Sequence, residues 1–126
     1  MAIGQLEYFR NELSDWKTLF QFIKDELRIF HLRLAEVVER NSKKRVLGYV
    51  EHFQNQFIIQ NEEFDILKQE IHRLESGVED NFKREGKAFS EEALKKRELL
   101  REKVHLSEKI FLETKHEFYR FLARVF

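Results

Sequence analysis

From Leu6 to Val37 the apolar residues recur at alternating three- and four-residue steps: Leu6, Phe9, Leu13, Trp16, Phe20, Ile23, Leu27, Phe30, Leu34 and Val37. A second run reads Val46, Val50, Phe53, Phe57, Gln60, Phe64, Leu67, Ile71, Leu74 and Val78. A third, with more polar interruptions, reads Ala93, Arg97, Leu100, Val104, Ser107, Phe111, Thr114, Phe118, Phe121 and Val125. A 3.5-residue period keeps one stripe of a helix facing its neighbours along its whole length, because it nearly matches the 3.6-residue turn. The pattern predicts an all-α protein: a single domain over residues 1–126, built as an antiparallel up-down-up bundle of three long helices with coiled-coil-like heptad packing.

The helix ends are read from local signals. The first helix is expected from about residue 4 to about 40. Ser14-Asp15 offers an alternative start, but Leu6, Phe9 and Leu13 stay in phase with everything after Trp16 and favour one continuous helix. Asn41 or Ser42 is the expected cap of the second helix, whose end is signalled twice, by Ser76-Gly77 and by Gly86. Ser90 with Glu91 and Glu92 makes a good start for the third helix, and Glu91–Lys95 and Glu92–Lys96 are expected i to i+4 pairs. A fourth short helix, from residues 1–13 or 78–89, is the alternative architecture.

Folding the second and third helices about a turn near residue 87 sets Gln60 level with Thr114, since the two are equidistant from it. Both are polar residues in otherwise apolar stripes, and a mutual hydrogen bond would satisfy each where an unpaired polar group costs about 1–3 kcal/mol.

Apolar residues also lie well off the stripes. Phe22 and Ile29, Ile59 and Ile66, and Leu99 and Leu106 are spaced seven apart on the three helices and share one heptad position, more than a quarter turn from the stripe centre. Leu19, Leu32, Tyr49, Ile58, Ile110, Leu112, Tyr119 and Leu122 widen this surface. A solitary bundle of thirteen Phe residues with such flanks exposes more contiguous apolar area than monomers usually carry. These six residues are therefore the expected interface, for a homodimer or another helical protein. A wide core with a fourth helix is the competing account.

Composition narrows the chemistry. Cysteine and proline are absent, which removes disulfides, thiolate ligands and cysteine nucleophiles, and leaves long helices uninterrupted. Lys plus Arg and Asp plus Glu balance at 23 each, so the whole-protein field attracts neither nucleic acid nor an anionic surface, and no nucleic-acid partner is expected. No apolar run reaches the roughly 18 residues of a membrane span, and the first residues lack a secretion-signal pattern. A cytoplasmic location is the resulting expectation.

Glu102-x-x-His105 and Glu113-x-x-His116 match the local pattern of di-iron bundles, but on one helix they stand about 16 Å apart and do not bracket a dinuclear centre. His31, His52 and His72 have no such partner, although His31 and His52 come to similar height. A ferritin- or hemerythrin-like ligand- or metal-binding bundle is the alternative function; no metal, cofactor or catalytic residue is assigned, and an enzyme is not expected. Glycines at 4, 48, 77 and 86 form no phosphate loop. One basic cluster, Arg40, Lys43, Lys44 and Arg45, is a candidate anion-binding site if it opens the second helix. The favoured expectation is that the first helix runs to about Lys44, where the same cations stabilise its C-terminal end. Arg97 interrupts the third stripe and is expected to snorkel from it.

Overall fold

In a computed structural model the chain is described over residues 2–87 and 89–126, with Met1 and Ala88 outside the described residues. Three helices account for nearly all of it: α1 (Ala2–Arg40), α2 (Lys44–Glu85) and α3 (Glu91–Val125). They pack as a three-helix bundle running up, down and up.

Each end has a local cause. After Arg40 the chain leaves the helix, and the Asn41 side-chain amide donates to the Val37 carbonyl at 3.2 Å, closing one of the acceptors that a helix terminus leaves open. The first helix therefore stops short of Lys44, contrary to the favoured expectation. Neither Asn41 nor Ser42 caps α2. Its N-cap is Lys43, in extended backbone and without a side-chain cap. At the other end α2 runs straight through Ser76-Gly77 and stops at Gly86, whose φ of 71° is the left-handed conformation that closes helices and that only glycine adopts cheaply. Its N–H reaches the Phe82 carbonyl at 2.9 Å. The Ser90 hydroxyl accepts from the Ala93 N–H at 3.1 Å, as the sequence signals, and of the two expected first-turn pairs Glu92–Lys96 closes at 3.2 Å. No separate fourth helix forms among the described residues, since residues 2–13 belong to α1 and 78–85 to α2.

The predicted stripes are the core. Every stripe residue of α1 is buried, as are those of α2 from Val50 to Val78; in α3 Leu100 to Phe121 are buried while Ala93, Arg97 and Val125 are half-buried. Toward one end the rings of Phe30, Phe53, Phe57, Phe118 and Phe121 pack against one another with centroids 5.0–6.5 Å apart, and tilted and edge-on pairs of this kind add to simple burial. In mid-bundle Gln60 Nε2 donates to the Thr114 hydroxyl at 2.8 Å, the register contact expected from the turn near residue 87. Arg97 interrupts the stripe with its guanidinium over the Phe89 ring, 4.8 Å from the centroid, a cation–π contact that leaves its Nε buried without a hydrogen-bond partner.

Candidate functional site

Which residues border which groove follows from the heptad positions and the ion pairs. With the buried stripe lettered a and d, Arg10, Lys17 and Lys24 are the e residues of α1 and pair with Glu79, Glu75 and Asp65 of α2. The g residues Glu12 and Glu26 instead pair with Arg101 and Lys115 of α3. Glu70 and Lys103, both g residues, join α2 to α3 at 3.3 Å. Position c adjoins g on a helix surface. The c residues of α1 therefore border the α1–α3 groove, and those of α2 and α3 border the groove between those two helices.

The six expected interface residues are all exposed, from 48% at Ile29 to 60% at Ile59, and the bundle distributes them over two faces. Phe22 and Ile29 lie along α1–α3. Ile59, Ile66, Leu99 and Leu106 lie along α2–α3. The third face, α1–α2, is dominated by its charged pairs.

On the α1–α3 face both ion pairs join residues 89 apart, which fixes the alignment of these two parallel helices. Phe22 and Leu112, and likewise Ile29 and Tyr119, are 90 apart and so stand at matching levels. Four large apolar side chains, all exposed, thereby surround the Glu26–Lys115 pair. Lys115 Nζ lies 2.9 Å from both Glu26 oxygens and within 6 Å of the Phe22 and Tyr119 ring centroids. Burial works against the Lys115 charge, but the Glu26 carboxylate outweighs it, and the ammonium holds its proton above its ordinary range. Deeper toward the start of α1, Arg101 grips Glu12 through two bonds of 2.6 and 3.1 Å; that hydrogen bond, against the opposing effect of burial, raises the guanidinium pKa still further. The two half-buried cations of this face are thus each neutralised within it, by Glu26 and by Glu12.

The α2–α3 face differs. Shallow depressions lie toward both ends, one of about 460 Å³ that includes Arg73, Arg84, Lys96, Leu99 and Lys103, the other of about 510 Å³ that includes Tyr49, His52, Arg120 and Arg124. Carboxylates line the same depressions, Glu70 and Glu92 paired with Lys103 and Lys96 in the first and Glu117 in the second. This leaves Arg73 and Arg84 at one end of the apolar centre and Arg120 and Arg124 at the other without an ion pair among the described residues.

The remaining candidates are placed as follows. Arg40, Lys43, Lys44 and Arg45 gather around the α1–α2 turn, with Lys44 and Arg45 in the first turn of α2. His52, His72, His105 and His116 are exposed, while His31 is half-buried with its ring edge-on to Phe57. Among the described residues no three His, Cys, Asp or Glu side chains converge as a metal site would require, and no helix is long and apolar enough to cross a membrane. Sequence reasoning passed over Glu26 and Lys115 at the centre of the α1–α3 patch. Their signal was present as opposite charges at e and g positions. It also passed over Arg120, Arg124 and Phe126, which the last turns of α3 bring to the basic α1–α2 turn. Compared with protein-family models, curated proteins and solved structures, the chain matches none.

Proposed function

We propose that the protein is a non-enzymatic helical-bundle interaction module that self-associates through its α1–α3 face. The observation that carries this reading is the exposed quartet Phe22, Ile29, Leu112 and Tyr119 around the Glu26–Lys115 pair. A patch of this composition gains from removal from water, and because the two charges at its centre, Glu26 and Lys115, are already paired, a second copy covers them without burying an unpaired ion there. A two-fold axis would set the same surface against itself, as isologous dimers do.

The α2–α3 face is less suited to self-pairing. Its ends carry unpaired cations in excess of their carboxylates, Arg120 and Arg124 beside Glu117 on one side and Arg73 and Arg84 beside the paired Glu92–Lys96 and Glu70–Lys103 on the other, so a two-fold related copy docked there meets like charge at both ends. Ile59, Ile66, Leu99 and Leu106 remain a second apolar surface for a different helical partner. Sedimentation at micromolar concentration tests the proposal: a mass of two chains supports it, and a single-chain mass across that range overturns it.

A further inference from the structure

One end of the bundle is basic in a way the neutral overall charge conceals. The α1–α2 turn contributes Arg40, Lys43, Lys44 and Arg45, and the last turns of α3 add Arg120 and Arg124. The guanidinium of Arg40 lies 5.2 Å from the centroid of the Phe126 ring, which brings the two segments to one tip. Elsewhere six cations are paired across helices, among them Lys17 with Glu75, Lys103 with Glu70 and Lys115 with Glu26, and two more within a helix. Others without an ion pair among the described residues, such as Lys68, Lys95 and Lys109, are spread along the bundle. None of the six cations at this tip takes part in an ion pair among the described residues. The acidic side chains near them in sequence are Glu36 and Glu39 on α1, Glu51 on α2 and Glu117 on α3, and Glu36 is paired with Arg33. The opposite tip is mixed, with Lys83, Arg84 and Lys87 beside Asp80, Glu85, Glu91 and Glu92.

Two further observations separate this tip from an ordinary solvated one. The first turn of α2 is unsatisfied: Lys43 offers no side-chain cap, and two cations sit where the helix dipole disfavours them. An arriving anion relieves both. Apolar side chains also stand among the cations, with Val38, Leu47 and Phe126 each exposed. Cations interleaved with apolar groups match the anionic headgroup layer of a bilayer, which takes up both kinds of side chain at its boundary. A nucleic-acid backbone would use only the charge. We propose that this tip docks end-on to an anionic lipid surface.

The proposal does not depend on self-association and is tested separately from it, by co-sedimentation of the whole chain with vesicles. Vesicles of neutral phosphatidylcholine should leave the protein in solution, and vesicles containing about a third phosphatidylserine should retain it at low salt and release it at high salt. Each cation near such a surface changes the partition constant about fivefold. Lys43→Glu with Arg45→Glu, both exposed and remote from the core, should therefore lower retention more than a hundredfold with helicity unchanged. Leu47→Ser with Phe126→Ser, which leaves the charge intact, should lower it about tenfold. No retention by the acidic vesicles, or undiminished retention of the charge-reversal variant, overturns the proposal. Equal retention of the Leu47/Phe126 variant, or displacement from vesicles by duplex DNA at equal phosphate, also overturns it by marking the tip as a general polyanion site.

Discussion

Gln60 and Thr114 share one hydrogen bond but depend on it unequally. The Thr114 hydroxyl accepts from Gln60 at 2.8 Å and donates to the Ile110 carbonyl at 3.0 Å, so it keeps a partner if Gln60 is lost. Gln60 has no such reserve, because its Oε1 is already buried without a partner. Thr114→Val should therefore cost about 1–3 kcal/mol by stranding a buried amide, whereas Gln60→Leu should be neutral or stabilising. Chemical denaturation of the two single variants and the double one measures the asymmetry. Equal losses from the two single changes would show that the contact serves both residues alike.

The Glu26–Lys115 pair makes stability depend on alkaline pH. Lys115 holds its proton above its ordinary 10.5 when folded, so the folded chain binds that proton more tightly than the unfolded one. The contribution is complete below 10.5 and disappears as the pH rises through the raised value. Lys115→Met should remove that part of the alkaline slope. At neutral pH it should also cost about 1–3 kcal/mol, because the Glu26 side chain, only 17% exposed, is left without its counter-ion. Urea unfolding from pH 7 to 11, compared between the two proteins, reads both effects. Parallel pH profiles would mean that Lys115 contributes nothing to the slope.

Two glycines of α2 should respond to alanine in opposite directions. Gly77 is an exposed position in the helix interior, where an added Cβ meets nothing within 4 Å. Gly77→Ala should stabilise by about 0.5–1 kcal/mol through helix propensity. Gly86 has equally open space, but its φ of 71° places a Cβ in the left-handed region, and Gly86→Ala should destabilise by about 1 kcal/mol. Thermal melts of the pair decide it, and a shift of the same sign at both sites would contradict the conformational account.

The stripes, the Ser90 cap and the level of Gln60 with Thr114 were legible because each is set by residues close in sequence or by a symmetric fold-back. The first turn was not. Asn41 and Ser42 look like caps for a following helix, yet Asn41 spends its amide on the Val37 carbonyl of the preceding one, and identical residue types serve either end. The split of the six exposed residues was hidden for a deeper reason. A heptad pattern gives each residue its position on its own helix, but a three-helix bundle can turn either way, so the pattern does not say which neighbour lies beside position c. The choice emerges only from pairs distant in sequence, such as Glu12–Arg101 and Arg10–Glu79.

That split makes the proposed interface testable face by face. Phe22→Glu with Ile29→Glu places two charges in the α1–α3 patch at exposed positions, so the bundle should keep its helicity and its melting temperature within a few degrees. Its mass should fall to a single chain, because two carboxylates would have to be buried unpaired to reform the contact. Ile59→Glu with Ile66→Glu makes the same chemical change on the α2–α3 face and should leave the mass of two chains intact. Sedimentation of both variants beside the parent at equal concentration separates the outcomes. Dissociation by the second pair alone would move self-association to the α2–α3 face despite its basic ends, and would mean that the charged depressions there close against something other than like charge.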